Sequence, residues 1–223
     1  MRRRALLATP ALLGSAPAGE VDLLLVLAVD ASGSISPDEF TLQREGYAEA
    51  LESPAVLAAI AARRRGIGVA MIEWGSPGGA ATVVDWHRVT DAGSARALGE
   101  AILAAPRSAQ SWNAIGDALV HARDLLRAAP FAAPAKVVDV SGDGPDMRGF
   151  VPAPRARDAL VEQGVTINAL AIAAEGTITR FGEPLAEHYR HGVIGGTGAF
   201  VLTAEDRRDL ARALRAKLVR EIA

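Results

Sequence analysis

The stretch Asp22 to Val29 reads DLLLVLAV and runs directly into Asp30-Ala31-Ser32-Gly33-Ser34. An unbroken apolar run of this length is typical of a central parallel strand that is covered on both faces. Its abrupt end at a carboxylate, hydroxyls and a glycine indicates that the strand leads into a polar loop. In open α/β sheets such loops gather at the carboxyl ends of the strands, where ligands bind. This one stretch therefore predicts both a fold class and the place of a site.

Strand and helix patterns alternate along the rest of the chain. Apolar runs predict further strands, and apolar-periodic segments opened by Ser-Pro or Asp predict helices. The predicted strands cover residues 66–74, 81–87, 135–140, 165–171 and 199–202, and the predicted helices cover 36–51, 53–64, 91–105, 113–128, 152–164, 184–191 and 204–222. This order predicts the α/β class: a doubly wound, mostly parallel six-stranded sheet with helices on both faces.

The turn Ser76-Pro77-Gly78-Gly79 separates the second predicted strand from the third. A parallel crossover needs about a dozen residues or more, so this connection is too short for one. The strand over 81–87 is therefore predicted to run antiparallel and to lie at the edge of the sheet.

Composition narrows the function classes. The chain has 223 residues, of which half are hydrophobic, and a net charge of −2. That length fits one α/β domain, and the scattered basic residues argue against nucleic-acid binding. The chain has no cysteine, which excludes disulfides, thiolate-bound zinc and a thiol nucleophile. No stretch is long enough and apolar enough to predict a membrane span.

The first 18 residues resemble a secretory leader. Met1-Arg2-Arg3-Arg4 is a charged start, Ala5 to Leu13 is a short apolar run, and Ala16-Pro17-Ala18 fits a small-x-small cleavage site. We therefore predict a signal peptide over residues 1–18, a single domain over 19–223, and a secreted or periplasmic protein. An ordinary N-terminal segment or a first strand is the alternative.

Three polar segments follow or lie between the predicted strands. The first carries Asp30, Ser32 and Ser34, the second carries Asn113 in Ser111-Trp112-Asn113, and the third carries Asp143 in Ser141-Gly142-Asp143-Gly144. Two carboxylates with neutral hydroxyl and amide oxygens suit a hard divalent cation. These segments predict a site for Mg²⁺, with Mn²⁺ or Ca²⁺ as alternatives.

The segment Asp30-Ala31-Ser32-Gly33-Ser34 resembles the Asp-x-Ser-x-Ser signature of von Willebrand factor type A (VWA) domains, and the third segment resembles their Ser/Thr-Asp-Gly turn. More narrowly, the chain resembles a bacterial, mostly exported subgroup of unknown function in Glu73-Trp74, Trp86, Val140 to Pro145 and His191 to Gly196. The resemblance implies a metal-ion-dependent adhesion site, or MIDAS. Carried over, its metal ligands are Asp30, Ser32, Ser34 and Asp143.

The second segment departs from the VWA pattern. Asn113 stands where that family usually has Thr, although Asn113-Ala114-Ile115-Gly116 otherwise resembles its helix start. Asn113 is predicted as the fifth metal ligand through its amide oxygen, with Ser111 as the substitute. The alternative is that Asn113 only caps the following helix.

Two further features concern charged residues within the predicted strands and helices. Asp139 interrupts an apolar strand, and we expect it to pair with a neighbouring loop or helix; a place behind the ion is the alternative. The final helix carries basic residues between its leucines, and these basic residues are predicted to form a solvated face. They are Arg207, Arg208, Arg212, Arg215, Lys217 and Arg220.

The resemblance implies a metal-dependent protein-interaction module whose ion accepts a carboxylate from a protein partner. A structural domain with a degenerate site is one alternative, and a magnesium-dependent phosphoryl hydrolase is another. The hydrolase is disfavoured because Ser32 stands where haloacid-dehalogenase-type phosphatases need a second Asp, and no His or Lys adjoins the three segments. We therefore expect no catalysis. The sequence determines neither the partner nor the oligomeric state.

Overall fold

The structure is a computed structural model that describes residues 19–205 and 207–223, with backbone alone at 207 and 208. The predicted signal peptide lies outside the described residues. The strands are β1 (Gly19–Glu20), β2 (Leu23–Asp30), β3 (Ile67–Trp74), β4 (Ala81–Val89), β5 (Phe131–Ala132), β6 (Ala135–Gly142), β7 (Val165–Ile172) and β8 (Val201–Ala204). The helices are α1 (Pro37–Leu51), α2 (Pro54–Ala62), α3 (Ala92–Ala104), α4 (Ile115–Arg127), α5 (Ala153–Val161), α6 (Leu185–Gly192) and α7 (Arg207–Ile222).

Six strands form the main sheet, in the order β4-β3-β2-β6-β7-β8. All neighbouring pairs are parallel except β3 with β4, which is antiparallel and places β4 at the edge. Helices α1, α2, α3 and α7 pack on one face, and α4, α5 and α6 pack on the other. The predicted doubly wound α/β architecture and its antiparallel edge strand are confirmed.

Strand β2 lies at the centre of this sheet, and all eight of its residues are buried. Leu23, Leu25 and Leu27 enter the core under α1 and α7, whereas Leu24 and Val26 enter the core under α4 and α5. Because successive side chains alternate between faces, both faces must be apolar, which explains the unbroken hydrophobic run.

The structure moves several element boundaries. Strand β6 continues through Gly142, so it reaches closer to Asp143 than predicted. Strand β8 spans Val201–Ala204, two residues later than predicted, and α7 begins at Arg207 rather than at 204. The two-residue strands β1 and β5 pair in a separate small sheet and were not predicted, because two residues carry no periodic signal. Within the described residues, no helix combines the length and apolarity that crossing a bilayer requires.

A buried charged trio joins α7 to the sheet. Lys217 of α7 is fully buried and bonds the carboxylates of Asp139 in β6 and Glu221 one turn further along α7, the latter at 2.9 Å. Asn168 of β7 also donates to Glu221, at 3.1 Å. The favoured interpretation of Asp139, a carboxylate paired with a neighbouring helix, is confirmed. The prediction that Lys217 belongs to a solvated face is wrong, because α7 turns positions 217 and 221 inward beside its leucine stripe.

The trio contains one cation for two carboxylates. Burial, followed by the charge of Asp139, raises the pKa of Glu221 to about 8. Burial by itself would lower the pKa of Lys217, but Asp139 and Glu221 hold that pKa above its ordinary value. Lys217 therefore stays charged, and Glu221 retains a proton at neutral pH.

Removing Lys217 should destabilise the fold, because Lys217→Met leaves the buried Asp139 carboxylate without its cation and Glu221 without a hydrogen-bond donor. We expect a loss of about 3–5 kcal/mol in the free energy of unfolding, measured by urea denaturation. The matched control is Arg215→Met on the exposed side of the same helix, which should change stability by about 0.5 kcal/mol or less. Equal losses in the two variants would contradict the role assigned to Lys217.

The trio should also make stability depend on pH. Between its ordinary pKa of 4.5 and about 8, the folded state holds a proton on Glu221 that the unfolded state has released, so the free energy of unfolding falls as pH rises. Glu221→Gln removes this term. Its melting temperature should therefore rise relative to the parent by about 2–4 °C or more between pH 5 and pH 8, whereas the exposed Glu49→Gln should track the parent. A difference that does not change with pH would refute the assignment.

Candidate metal centre

The first and third predicted segments meet through a chain of hydrogen bonds. Asp30 is fully buried; its Oδ1 accepts from the Ser32 N–H at 2.8 Å, and its Oδ2 accepts from the Asp143 N–H at 3.3 Å. The Ser32 and Ser34 hydroxyls lie 3.0 Å apart, and the Ser34 hydroxyl donates to Asp143 Oδ1 at 2.9 Å. The structure therefore brings Asp30, Ser32, Ser34 and Asp143 together.

The register of β2 against β6 explains this meeting. Val29 pairs with Ser141, so the two parallel strands end side by side and their loops leave the sheet at the same edge. Gly142 allows the turn, since a Cβ there would lie 2.8 Å from the Trp74 ring and from the Tyr189 hydroxyl. Tyr189 in turn donates to the Gly144 carbonyl at 2.9 Å.

An arginine from the loop after α3 holds the first segment in shape. The Arg107 Nη2 donates to three carbonyl oxygens, those of Ala31 at 3.1 Å, Ser32 at 3.2 Å and Ile35 at 2.7 Å. Arg107 was not predicted as part of the site, because an isolated arginine in a loop carries no pattern. Its charge is directed at backbone carbonyls, so it shapes the loop without pairing with Asp30 or Asp143 among the described contacts.

The second segment reaches the third through Asn113. The Asn113 carbonyl accepts from the Met147 N–H at 2.7 Å, and a Cβ added to Gly144 would lie 2.6 Å from Asn113 Nδ2. Helix α4 is capped at Ala114 with no side-chain hydrogen bond, so the interpretation of Asn113 as a helix cap is wrong. Its Oδ1 is buried and has no hydrogen-bond partner within the described part of the chain.

Ser111, the predicted substitute ligand, is engaged elsewhere. Its hydroxyl lies 3.1 Å from the Ser76 hydroxyl in the turn after β3. Its carbonyl accepts from the Gly33 N–H at 3.3 Å, which ties the second segment to the first through the backbone. The second segment therefore contacts both others, through Ser111 on one side and Asn113 on the other.

Two acids that were not predicted as site residues hold the loops around the site in place. Asp117 in α4 accepts from three backbone N–H groups, those of Gly78, Phe150 and Val151, at 2.9–3.0 Å. Asp146 accepts from the Gly116 N–H at 3.2 Å and the Ala153 N–H at 2.9 Å, at the starts of α4 and α5. Asp117 lies within a helix and Asp146 lies four residues past the end of β6, so neither stood out from an ordinary surface carboxylate.

The electrostatics favour a cation between the loops. Burial, and after it the charge of Asp143, raises the pKa of Asp30 to about 7, while hydrogen bonds from Ser32 and Asp143 oppose the rise. A divalent ion would offset both effects. The oxygen set fits such an ion, since it combines two carboxylates, two hydroxyls and the unpartnered amide oxygen of Asn113. Over residues 19–205 and 207–223, no group of three or more acids or histidines could hold a metal, so any ion here would depend on neutral oxygens for the rest of its shell.

Solved structures share this fold at low sequence identity. A proximal thread matrix protein (PTMP1) from the mussel byssus, solved with a zinc-occupied MIDAS motif, is 18% identical with a TM-score of 0.65 over 90% of this chain and 46% of its own. The pilus adhesin SpaC from Lactobacillus rhamnosus GG, in its open conformation, is 16% identical with a TM-score of 0.65, covering 90% of this chain and 30% of its own. A von Willebrand factor type A protein from Catenulispora acidiphila is 21% identical with a TM-score of 0.62, covering 90% and 43%.

This chain spans less than half the length of each of those three proteins. No curated protein sequence matches it significantly. A family model described as a protein of unknown function (DUF1194) matches residues 20–223, nearly the whole of the described chain. The chain therefore belongs to the DUF1194 family, and its fold is that of the von Willebrand factor type A domain.

Proposed function

We propose that this protein is a metal-dependent, adhesion-type interaction module that holds a divalent cation and accepts a carboxylate from a protein partner. The predicted ligands are Asp30, Ser32, Ser34, Asn113 and Asp143. The observation that carries the proposal is the buried, unpartnered Oδ1 of Asn113, beside the turn that holds Asp143. A buried amide oxygen without a donor is costly, and a cation would satisfy it.

The exposure of the site explains how it would take an external ligand. A divalent ion bound there would offer its remaining coordination position to an anionic oxygen. Asp30 lies fully buried behind the loop, whereas Ser34 is exposed and Asp143 is half-buried, so the site opens outward on the Ser34 side. Two carboxylates would offset the charge of the ion, so a partner carboxylate would bind through the coordination position that the protein leaves open.

The similar proteins support the proposal in chemical terms. The mussel protein is described with zinc in a MIDAS motif, and SpaC is described as a pilus adhesin. We propose Mg²⁺ as the most suitable ion here because every predicted ligand is oxygen, with Mn²⁺, Ca²⁺ or Zn²⁺ as alternatives. An adhesion role also agrees with the export that residues 1–18 predict.

We further propose that the site binds without catalysis. The groups bonded to Asp30 and Asp143 are hydroxyls and backbone amides, and none of those described partners is a general base. A phosphatase screen with Mg²⁺ tests this: turnover that disappears in Asp30→Asn would favour the hydrolase instead.

Divalent cations should stabilise the folded protein. With ion at about 100 times its dissociation constant, we expect the melting temperature to rise by about 5–10 °C over the value in chelator. Asp30→Asn should abolish the shift, whereas Asp38→Asn, an exposed acid on α1, should keep it. A folded parent that shows no shift with Mg²⁺, Mn²⁺, Ca²⁺ or Zn²⁺ would favour the structural domain with a degenerate site.

Asn113 and Ser111 should differ in the same measurement. Asn113→Ala removes the unpartnered oxygen and should reduce the cation-induced shift by at least half. Ser111→Ala removes a hydroxyl that already bonds Ser76 and should leave the shift within about 1 °C of the parent. The reverse order of effects would make Ser111 the ligand.

A further inference from the structure

A second recess opens beside the candidate metal centre, between the third segment and the loop from β7 to α6. We call it the arginine pocket. It has a volume of 340 Å³ and is lined by Asp146, Met147, Arg148, Arg180 and Phe181. Both of its arginines are exposed, so their charge faces solvent.

Neither arginine is paired with an acid among the described residues. The Arg148 guanidinium lies over the Trp112 ring at 4.4 Å, and the Arg180 guanidinium lies over the Phe181 ring at 5.1 Å. Arg180 also directs Nη1 at Met147 Sδ, 3.1 Å away, and a thioether is only a weak acceptor. Within the described part of the chain, neither guanidinium has a carboxylate oxygen within 4 Å.

The acid in the lining does not cancel this charge. The Asp146 carboxylate accepts from the Gly116 and Ala153 N–H groups, so its oxygens are committed to the starts of two helices. The lining therefore combines two guanidinium groups with one carboxylate, which leaves it with a net positive charge. Stacking on aromatic rings restrains the arginines, which lowers the entropy lost when they bind an anion.

The backbone supports Arg148 in an unusual conformation. Arg148 has a φ of +65°, the one positive φ outside glycine among the described residues. The Met147 N–H donates to the Asn113 carbonyl on one side, and the Phe150 N–H donates to Asp117 on the other. Such strain persists only where surrounding contacts impose it, and it is concentrated at functional sites.

A backbone hydrogen bond links the pocket to the candidate metal centre, since the Met147 N–H donates to the Asn113 carbonyl. Trp112, whose ring lies under the Arg148 guanidinium, directly precedes Asn113. Met147 follows Asp143 by four residues. The two aromatic rings that stack with the arginines are themselves exposed, Phe181 at 52% and Trp112 at 43%. Exposed aromatic side chains beside arginines are the composition of interface hot spots.

We infer that the arginine pocket binds a second carboxylate of the protein partner, so that the partner presents an acidic segment with one carboxylate at the metal and another between Arg148 and Arg180. This inference rests on the proposed function for its first contact. The second contact stands on the uncompensated guanidinium groups, since arginine forms strong, often bidentate bonds to carboxylates.

Fluorescein-labelled hexaglutamate provides a defined probe of an acidic segment. Fluorescence anisotropy would measure its affinity for the whole chain, with Mg²⁺ and with chelator. Arg148→Gln with Arg180→Gln should weaken binding in Mg²⁺ at least tenfold and leave the Mg²⁺-induced melting shift unchanged. Arg64→Gln, an exposed arginine between α2 and β3 at the opposite end of the sheet, should bind like the parent.

The outcomes separate the two proposals. If hexaglutamate binding requires Mg²⁺ but the double arginine variant binds like the parent, the arginine pocket is refuted and the metal-dependent function stands. If binding persists in chelator and is lost only in the double arginine variant, the pocket stands and the metal-dependent function fails. Equal weakening by Arg64→Gln, or no binding by the parent in either condition, overturns the inference.

Discussion

The parallel pairing of β2 with β6 is the constraint on which the site depends. It sets Val29 opposite Ser141, and the two strands therefore release Asp30 and Asp143 at the same edge of the sheet. A shift of one residue in this register would move Leu23, Leu25 and Leu27 to the opposite face of the sheet, out of the core that they fill. The packing that stabilises the sheet therefore also fixes the relative position of the two acids. The strand register brings the two loops together, and the hydrogen bonds among Asp30, Ser34 and Asp143 then fix the side chains within them.

Strand β6 and its loop present a contrast in how charge is balanced. Asp139 lies within the strand and receives its own cation from the chain, the buried ammonium of Lys217. Asp143 lies just past the strand, faces Asp30, and bonds a serine hydroxyl without a described cationic partner. Among the described residues, the chain buries a lysine beside Asp139 but bonds no cation to Asp30 or Asp143, which is why the second pair suits an external ion.

Much of this arrangement could be predicted from local pattern. The apolar run ending at Asp30 and the short turn at 76–79 were sufficient to predict the class of the sheet, its antiparallel edge strand and the edge at which the loops meet. The burial of Lys217 could not be predicted, because its partner Asp139 is 78 positions away and the helix pattern alone places basic residues outside. Arg107 and Asp117 act on backbone groups of distant loops, and such contacts leave no periodicity in a sequence.

The three hydrogen bonds from Arg107 to the first loop have a kinetic consequence. Because one guanidinium holds the Ala31, Ser32 and Ile35 carbonyls, the first loop keeps its shape through contacts that involve none of the predicted ligand side chains. Ion capture would then require no refolding of that loop, and little ordering entropy would oppose it. The rate of loading would be set by how quickly the ion sheds water, so slowly dehydrating Mg²⁺ would enter more slowly than Ca²⁺ whichever of them binds more tightly.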